Sequence, residues 1–201
     1  AAVALACLGF VSALWAEGAH GTVAVEWIPS LGVSLAFYVD GLALLISFLA
    51  TAVGVLILTY SGGYMHGEPG QAKYYATLLA FMGSMLGVAF AADMVVLFVF
   101  WELTSLSSFV LIGHYQRAEA SLYASRKSML ITVAGGLFML AGFLVLHAVS
   151  ADALGEATWA LFGQGGILEP ENAAAMQAAL VEGNLLVPVL ALVGVGAAAK
   201  A

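Results

Sequence analysis

VLFVFWELTSLSSFVLIG, residues 96–113, carries a single charge, Glu102, in eighteen residues that are otherwise uncharged. At 1.5 Å per residue the run is about 27 Å long as a helix, close to the ~30 Å of a bilayer's hydrocarbon core. Soluble proteins do not expose such a run, and an outer-membrane strand of ~10 alternating residues cannot contain it. The stretch therefore reads as a spanning helix with a carboxylate inside it.

The rest of the chain agrees. Of its 201 residues, 63% are hydrophobic and 8% charged, with a mean hydropathy of +1.05, far from the composition of a soluble domain. Five Lys and Arg against twelve Asp and Glu exclude a nucleic-acid-binding surface, which needs clustered cations. Cys7 stands alone in an apolar run, so there is neither a disulfide framework nor a CxxC site. Its expected role is packing. The first segment has no basic stretch ahead of it, so it reads as part of a spanning helix rather than as a signal peptide.

Apolar runs of roughly 17–25 residues predict six spans, at about residues 1–15, 40–60, 74–92, 94–115, 128–149 and 184–201. The fold class is thus an all-α polytopic transmembrane bundle, a single membrane domain over 1–201 that reads as part of a longer bundle. Residues 16–39 alternate, as in VSLAFYV, and predict a short hairpin outside the bilayer. Asp40 is placed to cap the following helix. Residues 61–73 (SGGYMHGEPGQAK) form a polar turn, and Ala92–Asp93 a very tight one. Residues 150–183, with five acidic side chains and no basic one, form an extracytoplasmic loop containing a short surface helix near 171–180. Lys73 and the 117–127 loop, with Arg117, Arg126 and Lys127, hold all the Lys and Arg except Lys200. Basic loops stay inside, so these two connections are cytoplasmic.

Glu102 lies about eight residues into its helix, ~12 Å below the outer boundary. A carboxylate at that depth costs about 2.5–3.5 kcal/mol on insertion scales and calls for a protein interior and a partner. Thr104, Ser105 and Ser108 follow it and could hold water or bond across helices, although small residues also serve close packing. The other ionisable group deep in an apolar run is Lys200, preceded by LVGVGAAA, whose glycines permit either a close approach or a broken helix. Together the pair suggests a proton switch: moving Lys200 towards or away from Glu102 would change the carboxylate between releasing and taking up a proton. His20, His66, His114 and His147 have no ligand-like spacing, so no metal and no cofactor is expected.

FVFWELTSLSSFVLIG, with WIPSLGVSLAFYVDGLALL (27–45), LTYSGGYM (58–65) and ASRKSMLITVAGGLFMLAGF (124–143), resembles the antiporter-like family shared by Mrp-type sodium/proton antiporters and respiratory complex I. WELTSLSS is similar to the version in the large Mrp subunits. The resemblance implies an ion-translocating component of an antiporter built from several subunits, carrying H⁺ and Na⁺ in the cell membrane of a bacterium with other membrane subunits as partners, and it is a transporter rather than an enzyme. It also implies that Glu102 and Lys200 are part of a proton path. A distal proton-pumping subunit of complex I and a purely structural membrane scaffold remain as alternatives.

Overall fold

The computed structural model describes residues 2–115 and 118–200. In chain order, helix α1 (Ala2–Ala16) leads to strands β1 (Gly21–Ile28) and β2 (Val33–Val39). Helices α2 (Gly41–Tyr64), α3 (Gln71–Phe90), α4 (Met94–Ile112), α5 (Glu119–Leu154), α6 (Pro170–Glu182) and α7 (Leu186–Ala198) follow. The two strands pair with each other as the alternating pattern predicts. Asp40 caps α2, accepting from the Ala43 N–H at 2.7 Å, since an extended residue with a short carboxylate satisfies one of the free amides that open a helix.

Six spans are not what the helices provide. Among the described residues four helices, α2 to α5, are long and apolar enough to cross a bilayer, with a fifth if α6 and α7 count as one broken span. The 15 residues of α1 reach only about 22 Å. The run at 184–201 holds only the 13 residues of α7, about 20 Å, which make a span only together with α6; the two are bent by 107°, across a break where Asn184 takes a φ of 53°. Asn tolerates this left-handed region better than most residues. The fifth predicted span begins much earlier than residue 128 and ends later than 149, because Glu119, Arg126, Lys127 and Asp152 are all compatible with a helix that projects beyond the hydrocarbon. Its 36 residues make ~54 Å. Ala1, Gln116, Arg117 and Ala201 lie outside the described residues, and with them the Arg117 part of the predicted basic loop and the outer limits of the first and last runs.

The chain divides into two compact units. In the first, which comprises residues 1–21, 39–90 and 103–129, α2 packs against both α1 and α3. Ala4, Leu58 and Met82 form its buried cluster with Cys7 against it, so the lone thiol is a packing residue. Gly54 lets α3 come near: a Cβ there would sit 2.7 Å from the Met82 sulfur.

The second unit comprises residues 22–38, 91–102 and 130–201. Its core joins Met94 of α4 to Met139 and Phe143 of α5, Met176 and Leu180 of α6 and Val189 of α7. The predicted 171–180 helix has exposed residues, Glu171, Ala174, Ala175, Gln177 and Ala178, while Met176 and Leu180, four residues apart on one face, bury that face in this core. Main-chain bonds tie the turn before α4 into the same unit. The Ala92 N–H donates to the Ala36 carbonyl at 2.9 Å, the Leu161 N–H to the Ala92 carbonyl at 2.7 Å and the Met94 N–H to the Trp159 carbonyl at 2.9 Å. Ala91–Asp93 is thus a linking piece of β structure between β2 and the segment 158–162, with bridges Phe37–Ala91 and Asp93–Ala160.

Candidate functional site

The site is built from α4, α5 and α7 inside the second unit. Nothing in the local sequence of α4 interrupts the helix at Glu102, since Leu, Phe and Val on either side propagate it without breaks. The carboxylate is therefore carried into the core by a helix whose neighbours are all apolar. Glu102 is half-buried, and its Oε1 is buried with no hydrogen-bond partner among the described residues. The space it occupies exists because residue 136 is glycine: a Cβ at Gly136 would collide with Glu102 Oε1.

The glycines flanking this position bring α7 onto α5. A Cβ at Gly135 would collide with the Ala199 side chain, and one at Gly196 would lie 2.5 Å from Met139 Cβ and 2.8 Å from the Gly135 carbonyl. Two helices that meet backbone to backbone through small residues gain close van der Waals packing, the main attraction left between helices in lipid. Gly194 and Gly196 therefore do not break α7. Gly196 allows its end to reach the site, nothing lies within 4 Å of a Cβ at Gly194, and the break lies around Asn184.

That end delivers Lys200. Its ammonium lies over the Trp101 ring, 4.6 Å from the centroid, and donates to the main-chain carbonyl of Trp101. Trp101 precedes Glu102, so Lys200 is seated one residue from the carboxylate, and the two opposite charges interact electrostatically. The structure thus brings Glu102 and Lys200 into one neighbourhood. Thr104, Ser105 and Ser108 continue along α4, with Thr104 and Ser105 buried and Ser108 partly so.

Two groups near the start of α4 were not singled out as a pair by the sequence. Asp93 is 2% exposed. Its Oδ1 accepts from the N–H groups of Val95 (2.8 Å) and Val96 (3.2 Å), and its Oδ2 from Ser34 N–H at 3.5 Å. Burial pushes its carboxyl above the usual 3.8, against the opposing effect of these three N–H groups and of the His147 charge. The His147 ring stacks on Trp159 at 3.7 Å, and its Nδ1 is 3.0 Å from the Thr158 carbonyl. Because a carbonyl only accepts, Nδ1 carries the hydrogen. Asp93 was legible only as a turn residue, and the partners of His147 lie on a segment with no periodicity.

Fold and site define a polytopic helical membrane protein that encloses a carboxylate and an ammonium among its helices. Residues 27–75 match the family described as NADH-ubiquinone oxidoreductase (complex I), chain 5 N-terminus, and residues 91–162 that described as NADH:quinone oxidoreductase/Mrp antiporter, TM; together they cover more than half of the chain. The chain belongs to this antiporter-like family, on the side of the Mrp antiporters and their A-type subunits. It is 46% identical over 127 residues to the A-type subunit of the Na(+)/H(+) antiporter of Alkalihalophilus pseudofirmus, covering 63% of this chain and 16% of that protein. It is 42% identical over 130 residues to the corresponding A1-type subunit of the Na(+)/H(+) antiporter of Staphylococcus haemolyticus, covering 65% and 16%. The chain spans about a sixth of the length of these relatives. Among solved structures it is similar to the Mrp complex from Dietzia sp. DQ12-45-1b, with 29% identity and a TM-score of 0.77 over 98% of this chain and 20% of that one. An archaeal membrane-bound sulfane sulfur reductase shares the fold at 24% identity, with a TM-score of 0.65 over 96% of this chain and 28% of that one.

Proposed function

We propose that the chain is an ion-translocating part of the A-type subunit of a multi-subunit Na⁺/H⁺ antiporter in a bacterial plasma membrane, with Glu102 and Lys200 handling the proton. The observation that carries this reading is the meeting of the two charges inside the helix bundle. A half-buried carboxylate whose Oε1 is buried with no hydrogen-bond partner among the described residues retains a desolvation cost, which a purely structural residue has no reason to keep. A proton arriving on Glu102 cancels its attraction for Lys200, and a proton leaving restores it, so the proton affinity of each group is coupled to the charge of the other. Thr104, Ser105 and Ser108 supply hydroxyls along the same helix that can carry water towards Glu102. The names of the relatives support the antiporter over the complex I alternative. Both ends of the exchange, H⁺ and Na⁺, would be carried by the whole assembly with its other membrane subunits.

The test uses the full-length protein in its assembled complex, reconstituted in liposomes with a sodium gradient and an internal pH dye. Glu102→Gln and Lys200→Ala should each slow exchange about a hundredfold or more, the scale of losing a positioned acid or base. Wild-type exchange by either variant in an intact complex would end this assignment. The charge rule further places Lys73, Arg126 and Lys127 on the cytoplasmic side. Single cysteines at 73 and 127 should then react with an impermeant thiol reagent in inside-out vesicles and not in right-side-out ones, and the opposite labelling would invert the topology.

A further inference from the structure

We infer that Trp101 is the positioning residue for Lys200, a seat that holds the ammonium beside Glu102 in the helix bundle. The inference rests on the assignment of the Glu102–Lys200 pair to proton handling and adds to it the group that fixes the lysine. Three observations converge. The ammonium lies 4.6 Å above the indole centroid, well inside the ~6 Å at which a ring face attracts a cation, and Trp is the ring that attracts it most strongly. The same ammonium donates to the Trp101 carbonyl, which has two lone pairs and can accept a second donor while remaining in the helix. Finally, Trp101 is packed against the core formed by Met94, Met139, Phe143 and Val189, so its ring is held and not free to follow the lysine.

The two contacts do different things. The carbonyl fixes where the ammonium sits along α4, one residue from the carboxylate. The ring supplies attraction that persists whether Glu102 is charged or neutral. Without it, protonating Glu102 would leave the ammonium held by the Trp101 carbonyl alone, a single hydrogen bond at the end of a long flexible side chain. With it, the lysine stays seated through both charge states of Glu102 and is available for the next proton. A ring serves this purpose better than a second carboxylate because it attracts a cation without binding the proton itself.

The experiment measures sodium-driven proton exchange by the complete complex in liposomes, with its integrity checked by copurification of the other subunits. Trp101→Leu, which keeps bulk and removes the ring, should slow exchange about tenfold, whereas Trp101→Phe, which keeps a weaker ring face, should stay within about threefold of wild type. The double variant Trp101→Leu with Lys200→Ala should be no slower than Lys200→Ala alone, because both changes disable the same device. A residue that only packs the core would instead give equal losses for the Phe and Leu variants, or a double-variant loss that multiplies the two single ones; either result overturns the inference while leaving the Glu102–Lys200 assignment intact. If Lys200→Ala itself exchanges at the wild-type rate, the assignment fails and the role of Trp101 fails with it.

Discussion

Two carboxylates, Asp93 just before α4 and Glu102 within it, are removed from water to different degrees and treated in opposite ways. Asp93 is nearly inaccessible, yet three backbone N–H groups point at it. Glu102, nine residues on, keeps one buried oxygen without a hydrogen-bond partner among the described residues and borders a glycine and an ammonium. A helix start offers free amides and a favourable dipole to any short acidic side chain. The middle of a helix offers neither, because its amides are committed to the preceding turn. The position of Asp93 is therefore explained by the backbone it caps, and that of Glu102 only by what other helices bring to it. Depth alone therefore does not set the two carboxylates apart; satisfaction by the local backbone does.

The sharpest way to break the comparison is to disturb Glu102 without touching its chemistry. Gly136→Ala would place a Cβ on Glu102 Oε1, forcing the carboxylate, the far end of a flexible side chain, out of its place. Exchange by the whole complex should fall about tenfold or more, with the complex still intact on purification. If Gly136→Ala exchanges at the wild-type rate, the glycine does not define the seat of the carboxylate and Glu102 is no more constrained than Asp93.

The sequence made the two halves of this comparison unequally visible. Glu102 stood out because one charge in an apolar run is costly, and Lys200 for the same reason. The spans α2, α3 and α4 were legible from run length, and the Asp40 cap and the hairpin from patterns that are local. What escaped is long-range. The bridges of Ala91–Asp93 to β2 and to residues 158–162 use main-chain groups, which every residue has, so no side-chain pattern announces them. Trp101 offers Lys200 a carbonyl for the same unreadable reason. The glycines of α7 were visible, but glycine permits close packing as well as breakage, and only Gly135 and Met139 on the facing helix decide between them. Asn184, where the helix does break, is a single residue at a left-handed φ, a choice made by the packing of α6 and α7 on either side.

Asp93 gives the smallest and most discriminating test, because two opposing influences act on it and their balance has a sign. Burial holds its carboxyl above 3.8, while the three N–H groups and His147 act the other way, and burial prevails. The folded protein then keeps this proton at pH values where the unfolded chain has lost it. From about pH 3.8 up to the raised folded value, the native state binds more protons than the unfolded state, so this group's contribution to stability falls as pH rises and is constant above that value. Asp93→Asn retains an oxygen that can cap α4 and removes the titration, so the stability advantage of the wild type over the variant should shrink as pH rises through this window and then level off. Unfolding midpoints of the purified complex, measured from about pH 4 to 7 for both forms, read the trend. An advantage that instead grows with pH would mean that the backbone amides and His147 outweigh burial, and that Asp93 is held as a charge by the same turn that excludes it from water.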